Sequence, residues 1–158
     1  MTHKYKFVIL KTCSLSKLKG EKMPKLNTKN KPMKVVFIAH PIRGNSMTDI
    51  INNMKKALAI CKIVHSHKIF PVAPYLISLQ YLNDHTPAER KRGIRGNHEY
   101  FRRHFIDELW LCGDKITYGM VEEIIWAIQY RIRIIPKTPE TTKQLTHLLL
   151  CFEHLTNR

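Results

Sequence analysis

The run Val35-Val36-Phe37-Ile38-Ala39 constrains the fold more than any other feature of the chain. It is continuously apolar and rich in β-branched and aromatic residues. Such a run reads as a strand covered on both faces, and strands of that kind belong to parallel sheets. A parallel neighbour is reached only through a long crossover, usually a helix. Helical spacing does follow. After a break over His40–Asn45, Ile50, Met54, Ala57, Leu58 and Cys61 recur with the period of a helix, and Ser46 or Thr48 is its cap. Ile69–Ala73 is a second short strand, and Pro71 puts it at an edge or at a strand end. Thr86-Pro87-Ala88-Glu89 supplies a cap, an N1 proline and first-turn acid for a helix to about His104, with Gly93 and Gly96 as points of interruption. Asp107–Cys112 reads as the third strand, Gly113–Gly119 as a loop, and Val121, Ile124, Ile125 and Ile128 as the buried face of a helix. Arg131–Ile135 is the fourth strand, ended by Pro136.

This order predicts an α/β fold: a small doubly wound, Rossmann-like parallel sheet of about four strands flanked by helices. The domain spans 34–137, and a C-terminal helix occupies 138–158. Its crossovers should be right-handed. Ligands of such sheets bind beyond the carboxyl ends of the strands, here the loops 40–46, 74–80 and 113–119. The last helix carries Leu145, Leu148, Leu149 and Phe152 on one stripe, beyond a core that four strands should already fill. That surplus predicts a homo-oligomer.

Net charge is +15, yet residues 1–32 hold nine Lys and one Glu, so a fifth of the chain supplies +8 of it. This basic leader has little apolar periodicity, and its composition predicts disorder. It reads either as an arm that touches nucleic-acid phosphates or as an extension without function, and the second is favoured. A chain starting at Met33 is therefore expected to keep cooperative thermal unfolding, and a loss of cooperativity would show that the leader packs on the domain. No apolar run has the length of a membrane span, and Lys11 interrupts the short one at Phe7–Leu10, so no membrane association and a cytoplasmic location are expected. Cys13, Cys61, Cys112 and Cys151 lie far apart, and His65 and His67 point to different sides of a helix. Buried thiols and no metal site are expected.

Three stretches can carry chemistry. In the first, Ile38-Ala39-His40-Pro41-Ile42-Arg43-Gly44, a strand passes through a Gly-containing turn into a helix. That geometry can present N–H groups and a guanidinium to an anion, or Arg43 can simply be an exposed turn residue. In the second, Gly119-Met120-Val121-Glu122-Glu123-Ile124, two carboxylates fall in the first turn of a helix. The dipole favours their ionised form. They are either a nucleophile in a crevice or plain dipole compensation, and helical periodicity puts neither on the core-facing stripe. The third, Asn97-His98-Glu99 within the basic stretch Arg90–Arg103, is a solvated surface or a contact to a phosphorylated ligand or RNA.

Taken together these motifs resemble the nucleoside 2-deoxyribosyltransferase-like superfamily. It includes 2′-deoxynucleoside 5′-monophosphate N-glycosidases and an uncharacterised phage and bacterial group, which this chain resembles most. The family's first strand ends in Tyr-x-Ala-Gly-Pro, and Phe37-Ile38-Ala39-His40-Pro41 stands in its place. Ile42-Arg43-Gly44 matches the Ile-Arg-Gly of the monophosphate hydrolases, and Gly119, Glu123, Ile124 and Trp126-Ala127 follow the family's last motif nearly in register. His40 replaces the usual Gly, Phe37 a Tyr, and Glu99 stands near the place of an Asp.

The resemblance implies that Glu123, rather than Glu122, attacks the anomeric carbon of a (deoxy)ribose and displaces the base, with Glu122 facing solvent or a neighbouring subunit. It implies Glu99, Asp114 or His40 as the proton donor. It gives His40, Pro41, Ile42, Arg43, Gly44, Asn97, Thr117 and Gly119 to substrate binding. It also implies no cofactor and a site completed across subunits. A nucleoside or nucleotide is the expected ligand. Two competitors stand beside this enzyme: a non-catalytic nucleotide binder that would keep Arg43 but not depend on Glu123, and a basic nucleic-acid-binding protein.

Overall fold

In the computed structural model, residues 32–156 are described, and the expectations for the leader lie outside them. Strands β1 (Lys34–Ala39), β2 (Ile69–Val72), β3 (Glu108–Leu111) and β4 (Arg133–Pro136) form one sheet in the order β2-β1-β3-β4. All three pairings are parallel. Helices α1 (Met47–Val64), α2 (Tyr75–Ser78), α3 (Pro87–Arg102), α4 (Tyr118–Gln129) and α5 (Pro139–Thr156) fill the connections and the end. The α/β fold expected from the sequence is the fold observed.

Strand alternation sorts the core. Phe37 and Ala39 of β1 and Leu109 and Leu111 of β3 join Phe101 of α3, Met120, Ile124 and Ala127 of α4 and Leu145 of α5. Val36, Ile38 and Trp110 belong to the other cluster, which Ile60, Cys61 and Val64 of α1 cover. β1 has neighbours on both sides, so its four residues Val36–Ala39 are fully buried, as the unbroken apolar run required. β2 is an edge strand, as β4 is at the other side, which is why it tolerates Pro71. At the amino ends of the strands, buried Glu108 accepts from Lys34 Nζ at 2.6 Å, from Trp110 Nε1 at 2.8 Å and from Arg133. The carboxyl ends at the other side of the sheet are left for a site.

Several local expectations change. α3 runs unbroken through Gly93 and Gly96, because its other positions are good helix formers and the tertiary contact of Phe101 anchors it. Pro74 is followed by the short helix α2 rather than a loop. α4 begins at Tyr118, with the Thr117 hydroxyl accepting from Met120 N, so Gly119 is helical. Its buried stripe is Met120, Glu123, Ile124 and Ala127, whereas Ile125 and Ile128 are about half exposed. On α5, Leu145 is buried and Leu148 and Phe152 pack on the chain's own core. Most of the apolar surplus that motivated an oligomer is thus used within the chain. Among the described residues no helix is long and apolar enough to cross a membrane.

One glycine fixes how the loops at the strand ends meet. Gly113, just past β3, has φ of +98°, and a Cβ there would sit 2.7 Å from Pro41 Cδ. Its carbonyl accepts from Thr138 Oγ1 at 2.8 Å, which ties the start of α5 to the same point. Gly113→Ala is expected to destabilise the fold by about 2–4 kcal/mol, from left-handed backbone strain plus overpacking. Urea unfolding measures this; an unchanged midpoint would show that the two loops are free to separate.

Candidate active site

A cavity of about 230 Å³ opens beyond the carboxyl ends of β1, β2 and β3. Each of the three loops expected there contributes: His40, Ile42 and Arg43 from the first, Tyr75, Ser78 and Leu79 from the second, Thr117 and Gly119 from the third. α3 closes it with Arg90, Gly93, Ile94 and Asn97, and α4 supplies Glu122, Glu123 and Trp126.

Glu123 is the unusual residue. Its side chain lines the cavity, yet the residue is only 8% exposed. It has no hydrogen bond or ion pair among the described residues. Burial, and after it the neighbouring Glu122 charge, pushes its carboxyl up to about 8. This reverses the expectation of a dipole-stabilised carboxylate. Glu122 and Glu123 are the fifth and sixth residues of α4, beyond the first turn where the dipole acts, and desolvation wins. It also reverses the helical phase, since Glu123 lies on the buried stripe. Glu122, expected to face solvent or a partner, reaches the same cavity. Two carboxyl groups, one of them on a nearly buried residue, therefore share the site.

The surroundings of Glu123 are fixed by the core. Tyr75 donates its hydroxyl to Ile38 O at 2.8 Å, and its ring lies 6.2 Å from that of Phe37. Burial, and then the Glu123 charge, holds the Tyr75 phenol well above its usual range, so it stays a hydroxyl. His40 Nδ1 is 2.8 Å from Pro41 O. Because a carbonyl only accepts, that nitrogen carries the proton, and Nε2 of the neutral ring is left as an acceptor. Burial lowers the His40 pKa, and Lys56 nearby adds to this, against the opposing Pro41 bond and Asp114 charge. Asp84 pairs with Arg90 through both carboxylate oxygens, at 2.8 and 2.7 Å to Nη1, on the cavity wall.

The predicted site residues divide accordingly. His40, Ile42, Arg43, Asn97, Thr117, Gly119 and Glu123 meet at the cavity. Pro41 is buried behind it against Gly113. Gly44 lines a second cavity beside Arg43, and a Cβ there would lie 2.2 Å from Asp49 Cβ, so the turn needs glycine. Asp114 is exposed and sits near His40 without lining the cavity. Glu99 stands apart: it binds Arg102 and Arg103 at 2.7 and 2.8 Å, and those bonds hold its carboxyl down at about 2. It is an ionised surface partner, because its helix turns Asn97, not Glu99, to the cavity. Sequence reasoning missed Tyr75 and Asp84 as site residues, and it met Arg90 only within the basic stretch and Trp126 only within the last motif.

The family of domains of unknown function DUF7768 matches residues 34–136. That span runs from the first residue of β1 to the last of β4 and takes in every residue of the cavity. The chain belongs to the DUF7768 family. The DUF7768 region thus holds the whole sheet, while α5 follows it. No curated protein and no solved structure matches the chain.

Proposed function

We propose that this DUF7768 protein breaks an N-glycosidic bond of a nucleoside or nucleotide, with Glu123 as the nucleophile. The observation that carries the reading is a carboxyl group on a nearly buried residue that opens, with no hydrogen-bond or ion-pair partner among the described residues, onto a ligand-sized cavity beyond the strand ends. An unpaired carboxyl on a nearly buried residue is costly and is a hallmark of sites rather than of cores. Its motif register within the deoxyribosyltransferase-like pattern supplies the reaction. In the first step ionised Glu123 bonds to the anomeric carbon as the carbon–nitrogen bond breaks, and the departing base takes a proton from water in the open cavity. Water or a second base then takes the sugar and frees Glu123. Glu122 is the second carboxyl lining the cavity, and in this proposal His40 Nε2, an acceptor in the neutral ring, takes the proton of the water that receives the sugar. Trp126 and Ile94 offer apolar surface to a base, and Arg43, exposed and without an ion pair among the described residues, is the cation for a phosphate. Assembly of several copies around the site, within the cytoplasm, belongs to the same proposal.

Incubation with a nucleoside and nucleotide panel, read as free base by chromatography, tests it. Arg43→Ala is expected to weaken phosphorylated ligands more than nucleosides, by roughly 1.5–3 kcal/mol for a lost charged hydrogen bond. Equal losses for both would remove Arg43 from phosphate binding.

The second reading, a nucleotide binder without turnover, is favoured by the burial of Glu123, which pushes its carboxyl up to about 8 and so favours the protonated form at neutral pH. Tight nucleotide binding with no base release at any pH would establish it.

A further inference from the structure

A second cavity, of about 380 Å³, adjoins the first and shares Arg43 with it. Three cations from three separate elements line it: Arg43 from the loop after β1, Lys56 from the middle of α1, and Lys115 from the loop after β3. Among the described residues none of the three is in an ion pair. Asp49 is the one acid there, and its Oδ2 is already taken by the N–H groups of Asn45 and Ser46, at 3.1 and 3.0 Å. Those amides are therefore spent on the α1 cap, and any anion must be held by side chains. Asn52 adds an amide at the wall.

Like charges converge at a cost unless something answers them. Among the described residues lining the cavity, the single carboxylate of Asp49 stands against three cations, so the wall keeps a net positive charge, and the cavity leaves room for more than one phosphoryl group. Lys56 is also close enough to His40 to lower its pKa, so the cationic cavity begins where the glycosidic one ends. We infer that this cavity binds a pyrophosphate group, so that the ligand is a nucleoside diphosphate or a longer phosphoanhydride rather than a nucleoside or monophosphate. The inference rests on the proposed function for the sugar and base, but the phosphate cavity is separable from it. Arg43 bridges the cavities and meets the phosphate nearest the sugar. Lys56 and Lys115 meet the phosphate beyond it.

Calorimetric titration of the full chain with inorganic pyrophosphate, and separately with inorganic phosphate, tests this without any turnover. Pyrophosphate is expected to bind more tightly than phosphate. Lys56→Ala and Lys115→Ala should each weaken pyrophosphate about tenfold or more, as for a lost charged hydrogen bond. Lys91→Ala, on the exposed face of α3, should leave it unchanged, which separates the cavity from general attraction to a basic chain. Equal affinities in all four proteins, or no preference for pyrophosphate over phosphate, would overturn the inference. Base release from nucleosides or monophosphates alone, with pyrophosphate binding absent, would also overturn it while leaving the glycosidic reading intact.

Discussion

Glu123→Gln is expected to reduce base release by several orders of magnitude while leaving nucleotide binding near normal. A covalent nucleophile has no substitute, and a glutamine amide of the same shape cannot form the glycosyl ester. The wild type should show a second signature. Only the ionised carboxylate attacks, so kcat/KM should rise with pH and level off above about 8, where burial has placed the group. The rise should approach tenfold per pH unit between pH 6 and 7.5. Measuring the pH–rate profile of base release checks this. A fall above pH 8 would make Glu123 the acid and put the nucleophile elsewhere. Equal activity in wild type and Glu123→Gln would sink the assignment altogether.

The same residue should make the protein less stable as pH rises. The ordinary carboxyl titrates near 4.5 and the folded one near 8. Between those values the folded chain keeps a proton that the unfolded chain has released, so stability falls as pH increases. The slope approaches 1.4 kcal/mol per pH unit, and the whole interval amounts to roughly 4–5 kcal/mol. Glu123→Gln lacks this loss. Urea unfolding of both proteins at pH 5 and pH 9 should show the variant gaining several kcal/mol on the wild type between the two. His40 titrates in both proteins, so the difference isolates Glu123. Parallel stability curves would mean that water or a neighbouring group relieves the buried carboxylate. A gain in stability joined to a loss of activity is what a site held against its folding preference should give.

The elements were legible because each rests on local pattern. Val35–Ala39 reads as a strand covered on both faces, Pro71 puts its strand at an edge or itself at a strand end, and the Thr86-Pro87 start of α3 is written in its residues. The three ligand loops followed from the order of the elements alone. The phase of α4 was not legible. Apolar residues surround that helix, so Val121, Ile125 and Ile128 compete with Met120, Ile124 and Ala127 for the buried side. The choice depends on where α3 and the sheet press on it.

The sequence by itself determined the parallel sheet, the position of its loops, and the meeting of His40, Arg43 and Gly119 at the strand ends, since topology carries strand ends to one side. Tertiary structure alone decided the environment of each carboxyl. By residue type and charge Glu99 and Glu123 are alike, and only the motif resemblance separated them; packing leaves one between Arg102 and Arg103 at the surface and buries most of the other at the cavity beside Tyr75. Desolvation and charge act through space, over distances that no spacing along the chain records.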